Sequence, residues 1–304
     1  MNIHLENVNL QSTTGPNHFA SKLIKYMDAT FDLDKTPDAR LCFIESHRVR
    51  SFQTDDVPIF QRLDGIYFNT AQDYKLQNAN IKRTYDNADG VIFQSNFNKQ
   101  LITKYFGEHK NHTIIHNGAD IEYIDKVPLL EYAKLDKYED VWCCASSWRP
   151  HKRLPENIKY FLEHSSEKDC LVIAGSKDQD IVKNDRIFYV GAISILPLIS
   201  LYKRSKYFIH LAWLDHCPNV VVDARASGCQ VICSSAGGTK EIAGEDATVI
   251  QEDEWNFEPV KLYEPPIMDF TKKNKNDHNN EYDMKKVAKK YENFLISTKR
   301  KLDS

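Results

Sequence analysis

The chain has 304 residues, 41% of them hydrophobic and 27% charged, with a formal net charge of −3. That balance excludes the basic excess of a nucleic-acid binder, and no stretch approaches the roughly 18 apolar residues needed to cross a bilayer. The length favours two domains of about 130–150 residues over one.

MNIHLENVNL has no basic n-region followed by an apolar run, so no secretory signal is expected. Seven cysteines are present, and neither CxxC pairs nor Cys/His spacing suited to zinc occurs. Most lie in apolar, strand-like runs, at Cys42, Cys143, Cys144, Cys170, Cys229 and Cys233. Reduced, structural thiols in a cytoplasmic protein are the expectation.

Short apolar runs alternate with amphipathic stretches, the pattern of a parallel sheet covered by helices. In the first half IHLE, RLCFIES, VPIFQRLDG, GVIFQS and TIIHNG read as strands. Helices are predicted over Asn17–Met27, Asn80–Ala88 and Asn96–Phe106, the last with Ser95 and Asn96 suited to capping. The charge-rich stretch 120–140 reads as a connection containing some helix. In the second half VWCCAS, CLVIAG, RIFYVG, YFIHLAW and QVICSS are strand candidates. Helices are expected over Leu154–His164, Ser194–Ser205, Pro218–Ser227 and Thr239–Ile242. Residues 272–280, KKNKNDHNN, read as a mobile loop. The last stretch places Met284, Val287, Ala288, Tyr291, Phe294 and Leu295 on one face of a helix. Its lysine-rich face is either simply solvated or suited to a membrane surface.

The segment after YFIHLAW carries the clearest chemistry. Asp215 lies in a turn, Cys217, Pro218, Asn219 and Val220 open a helix, and Asp223 follows about one turn later. Free N–H groups at a helix start make an anion site, and a proline there loses nothing because its N–H would be an orphan. Two carboxylates bracketing such a site suit a sugar diphosphate. Taken alone, the two aspartates read rather as a cap and a surface acid.

The frame D-H-C-P-N-V-V-V-D-A-R-A-S-G-C-Q-V-I-C-S-S-A-G-G-T-K-E resembles that of retaining glycosyltransferases of family 4. Those enzymes have the GT-B fold, two Rossmann-like α/β domains facing each other across a cleft. Aspartate replaces both glutamates of the family's E-x7-E pattern. The resemblance implies that Asp215 lies near the transferred sugar and that Asp223 holds the nucleotide ribose. In ASSWRPHKRL it places Lys152 on the donor diphosphate, while Ser147 stands where the family has arginine. Arg149 and Arg153 lie close enough to substitute; Arg153 reads equally as a surface or helix-start charge.

In RIFYVGAISILP, Gly191, Ala192 and Ile193 correspond to the segment lining the base pocket, or simply form a turn. Gly15 of TTGPNHF occupies the place of a Gly-rich loop approaching the phosphates, and His18 follows it at the helix start. Arg62 and Asp64 of QRLDG stand where related transferases put a catalytic or acceptor-positioning group; a buried ion pair or an Asp64-Gly65 turn is the alternative. Ser95 and the Asn117-Gly118 pair either line the cleft or serve as cap and turn. The resemblance extends to the closing WNFEPVKLYEPP and the last helix, which in this fold packs back on the first domain.

The expectation is therefore an acceptor domain over 1–125, a donor domain over 126–282 and a returning helix over 283–304. The implied reaction moves a sugar from a nucleotide sugar to a saccharide or glycan acceptor with neither metal nor cofactor. A non-catalytic nucleotide-sugar-binding protein and a sugar epimerase of the same fold remain open.

Overall fold

The computed structural model describes residues 1–12, 14–47, 57–176 and 182–302. They form two compact units. The first comprises Met1–Gly118, Phe257–Val260 and Glu281–Ser304; the second comprises Ala119–Asn256 and Lys261–Asn280. The division thus falls at Gly118 rather than near 125, and short returning segments complete the first unit.

Unit 1 carries β1 (Ile3–Glu6), α1 (Gly15–Tyr26), β2 (Ala39–Phe43), β3 (Ile59–Leu63), α2 (Tyr74–Asp86), β4 (Gly90–Phe93), α3 (Asn96–Phe106) and β5 (His112–Ile114). The strands are parallel and pair in chain order, β1-β2-β3-β4-β5. Helix α2 begins six residues before the expected start, because Asp73 caps it by accepting from the Leu76 N–H at 3.0 Å. Ser95 caps α3 in the same way through the Asn98 N–H.

Unit 2 carries α4 (Ile121–Lys126), β6 (Val141–Ala145), α5 (Leu154–His164), β7 (Cys170–Ala174), β8 (Ile187–Gly191), α6 (Ile195–Arg204), β9 (Tyr207–His210), α7 (Asn219–Ala226), β10 (Gln230–Ser234), β11 (Thr248–Ile250) and β12 (Lys273–Lys275). Single 3-10 turns lie at Pro150–Lys152 and Thr239–Glu241, the latter where a helix was expected. The sheet order is β12-β11-β10-β9-β6-β7-β8, with only β12 antiparallel. The stretch read as a mobile loop therefore supplies an edge strand. It is also anchored, since the buried Asn276 donates to the carbonyls of Lys240 and Gly244, each at 2.8 Å.

Strand order reverses between β6 and β9, and such reversals leave a crevice at the carboxyl ends of the two strands. Among the described residues, unit 1 has no reversal.

Finally α8 (Met284–Leu302) lays Met284, Val287, Ala288, Tyr291 and Leu295 against Phe19 and Leu23 of α1 and Leu41, Phe43 and Phe60 of the unit 1 sheet. That apolar stripe, rather than helix propensity, holds a helix so rich in lysine in place. No helix of the described residues is long and apolar enough to cross a membrane. All seven cysteines are buried, and none forms a disulfide.

Candidate active site

Two acid–base pairs sit at strand ends, one in each unit. In unit 2, β6 ends at Ala145 and the chain turns through Pro150–Lys152. Arg153 then adopts a left-handed conformation, φ 54°, before α5 begins. Its side chain is fully buried: Nη1 and Nη2 grip Glu252 at 2.8 and 2.7 Å, and Nη2 also donates to the Pro266 carbonyl. Ser234 donates to the same carboxylate. Arg153 is therefore neither a surface charge nor a phosphate ligand; it locks the loop that presents Lys152. Arg149 is exposed at the head of this turn.

Lys152 meets Asp215, which follows β9. Its Nζ lies 2.5 Å from Oδ2, and the two side chains are 19% and 14% exposed. The same Oδ2 lies 2.9 Å from His210 Nε2, and Oδ1 accepts from the His216 N–H at 3.1 Å. The backbone of Asp215 is fixed as well. Its carbonyl accepts from the Gly238 N–H at 2.7 Å, and Gly237 has φ 114°. A Cβ at Gly237 would stand 2.6 Å from that carbonyl oxygen, so only glycine fits. The two glycines of the sequence motif thus hold the Asp215 turn against the end of β10.

The electrostatics follow from this packing. Burial alone pushes the Asp215 carboxyl up, but Lys152 and His210 outweigh it and hold the carboxyl well below the usual range. Burial depresses His210, takes His216 down to about 4 and His151 down to about 3, so these rings are neutral near pH 7. His151 stacks on Tyr263 at 5.5 Å, and its buried Nδ1 has no hydrogen-bond partner. None of these three histidines was singled out from the sequence. The signal available was weak: a histidine ending the apolar run YFI and another directly after Asp215.

The other residues expected on the donor side belong to the same unit. Pro218 caps α7 rather than starting it, so the helix opens at Asn219. Cys217 is buried, and Pro218, Asn219 and Val220 are half-buried. Asp223 is 5% exposed, within the body of unit 2, where its charge adds to burial in pushing the Tyr202 phenol up. Gly191, with φ 67°, ends β8 and is exposed, and its carbonyl accepts from the Gly175 N–H at 2.7 Å. Ile193 is half-buried beside the exposed Val190, Ile195 and Leu196.

In unit 1, Arg62 and Asp64 form an ion pair. Arg62 shares the face of β3 with Phe60, two residues earlier, and so enters the core. Its guanidinium donates to Tyr291 Oη at 3.1 Å and Asn117 Oδ1 at 2.8 Å, and stacks over Phe19, 4.0 Å from the ring centre. Fully buried, it cannot touch a substrate, which corrects its assignment as a catalytic group. Asp64 takes hydrogen bonds from Arg62 and Gln94 through Oδ1, whereas its buried Oδ2 has no partner. Burial raises its carboxyl despite Arg62. Gly15 is exposed at the start of α1. The structure thus brings Lys152 to Asp215 and Arg62 to Asp64.

Residues 139–258 match the family model described as Glycosyl transferases group 1. No curated protein matches the sequence. Among solved structures, Anabaena Alr3699/HepE in complex with UDP aligns with a TM-score of 0.66 at 14% identity, over 98% of this chain and 100% of that one. The catalytic domain of Starch Synthase IV from Arabidopsis thaliana, bound to ADP and acarbose, gives 0.62 at 13% identity over 88% and 74%. AviGT4, a glycosyltransferase of avilamycin A biosynthesis, gives 0.57 at 12% over 99% and 98%. The fold is GT-B. The family match falls on the segment of this GT-B chain that carries β6 to β11, Lys152, His210 and Asp215.

Proposed function

We propose that this GT-B protein is a retaining glycosyltransferase of the family 4 kind, acting without a metal on a nucleotide-diphosphate sugar and a saccharide or glycan acceptor in the cytoplasm. The observation that carries the reading is the Lys152–Asp215 pair at the strand-order reversal of unit 2, inside the segment matching the glycosyl transferase family. Leaving diphosphate gathers negative charge as the bond to the sugar breaks. The ammonium of Lys152, the exposed Arg149 and the N–H groups opening α7 are the donors assigned to that charge. Asp215 faces the sugar, and Asp223 is assigned to the ribose. Gly191 and Ile193, beside exposed apolar side chains, are assigned to the base. In unit 1, Asp64, whose side chain is 19% exposed beside the enclosed Arg62, is the group assigned to the acceptor hydroxyl.

Incubation with UDP-, GDP- and ADP-glucose, with and without oligosaccharide acceptors, tests the reading through released nucleoside diphosphate. Lys152→Ala is expected to lower release about 100-fold, the usual loss of one preorganised charge-stabilising donor. Unchanged affinity and turnover in that variant would remove Lys152 from the diphosphate site. A second reading, nucleotide-sugar binding without transfer, is favoured by Ser147 at the family's arginine position and by the engagement of Lys152 with a shortened acid. Donor binding with no release under any condition would establish it.

A further inference from the structure

Lys152 and His210 converge on one oxygen of Asp215, and that convergence has no counterpart in the motif that led to the site. His210 is the last residue of β9 and is 3% exposed. Its ring lies nearly parallel to that of Phe208, 10° between planes, and Cys233 of β10 stands beside it in register. The imidazole is thus held rigidly by a central strand. Lys152, by contrast, is a flexible ammonium on a turn. A donor contact from a neutral histidine to a carboxylate requires the proton on Nε2, leaving Nδ1 bare.

Asp215 needs such a guide. It follows Leu214, a non-glycine residue with φ 58°, so its backbone direction is set by a strained turn and by the bridge to Gly237. Its side chain is one methylene shorter than glutamate and depends on its donors for orientation. We propose that His210 is a positioning residue: its Nε2–H fixes the Asp215 carboxylate so that Lys152 is presented at the carboxyl ends of β6 and β9. This extends the transferase reading and rests on it for the catalytic consequence, though not for the geometry. The charged and titratable groups around the contact are Lys152, His151 and His216, as well as Asp215 itself.

His210→Leu removes the donor and keeps apolar bulk; His210→Gln restores an N–H at similar reach. In the unliganded protein the Asp215 carboxyl carbon is followed by NMR as pH falls. Wild type is expected to titrate well below the ordinary aspartate range, His210→Leu higher, and His210→Gln between them. In donor turnover with the three glucose nucleotides, His210→Leu is expected to lower kcat about 10-fold or more with little change in KM, and His210→Gln to recover most of it. An unmoved Asp215 midpoint in His210→Leu overturns the proposal. So does a loss that His210→Gln fails to repair in a protein whose tryptophan fluorescence remains native, because packing then explains it. Absence of turnover in wild type with every donor would sink the transferase reading, while the titration still decides the role of His210.

Discussion

Arg62–Asp64 in unit 1 and Lys152–Asp215 in unit 2 look alike in the sequence, a cation and an acid near the end of a parallel strand. They differ in what their hydrogen bonds leave over. The guanidinium of Arg62 is wholly enclosed, shared among Asp64, Asn117 and Tyr291 and stacked on Phe19. Lys152 makes its side-chain contact with Asp215 and remains 19% exposed beside a reversal of strand order. Both pairs are ionic. One is built into a core, and the other is left partly open at the carboxyl ends of β6 and β9. Burial and the number of donors already engaged, rather than charge, separate the enclosed cation from the accessible one.

The largest effect that would break this comparison is expected from Arg62→Met. It leaves the Asp64 carboxylate, the Tyr291 hydroxyl and Asn117 without their buried partner, a loss of about 3–5 kcal/mol for one half of an enclosed pair. All four tryptophans, Trp142, Trp148, Trp213 and Trp255, lie in unit 2, so their fluorescence reports that unit alone. Hydrogen exchange should show protection lost first in β3 and α8. A variant as stable as wild type would mean that Arg62 is less committed to the core than its contacts indicate.

Acid should act with opposite sign on the buried groups of the two sites. His151 and His216 are held neutral in the folded state, down to about 3 and about 4, whereas in the unfolded chain they take up protons near 6.5. Between those limits the unfolded state binds more protons, so unit 2 loses stability as pH falls below 6.5. The slope is on the order of 1 kcal/mol per pH unit for each ring. Asp64 acts oppositely. Its folded carboxyl is raised by burial above the ordinary aspartate value, so its protonation below that raised value favours the folded state of the Asp64 site. Urea titrations read by tryptophan fluorescence at pH 7, 6 and 5 should show the falling midpoint. A midpoint flat across that range would mean that the two rings can be protonated without unfolding.

Much of this was legible in the residues. Alternating apolar and amphipathic runs located most strands, and the Asp215-to-Glu241 frame pointed to Lys152's partner because its Gly237 has a steric reason to be there. What escaped was set by tertiary contact. The burial of Arg153 depends on Glu252, 99 residues away, and that of Arg62 on Tyr291, 229 away. Neither partner leaves a local pattern. The start of α2 was missed because a single aspartate cap outweighs weak periodicity in a polar stretch. His210 was invisible because one histidine at a strand end reads as core until its neighbour across the turn is known.

The smallest expected effect concerns Lys299, near the end of α8, whose Nζ lies 2.9 Å from Asp38 Oδ1. Like Arg62 with Tyr291, this pair joins α8 to the rest of unit 1, but its side chains are 32% and 46% exposed. Hydrogen bonding from Lys299, then from the Asn2 N–H, holds the Asp38 carboxyl below its ordinary value, and the Asn2 bond survives loss of the lysine. Lys299→Ala should therefore cost less than about 0.5 kcal/mol, and less still at high salt, where screened surface pairs contribute little. A loss approaching that of Arg62→Met would mean that α8 is held by its charged end. The apolar stripe from Met284 to Leu295, closed by the Arg62–Tyr291 contact, would then be secondary.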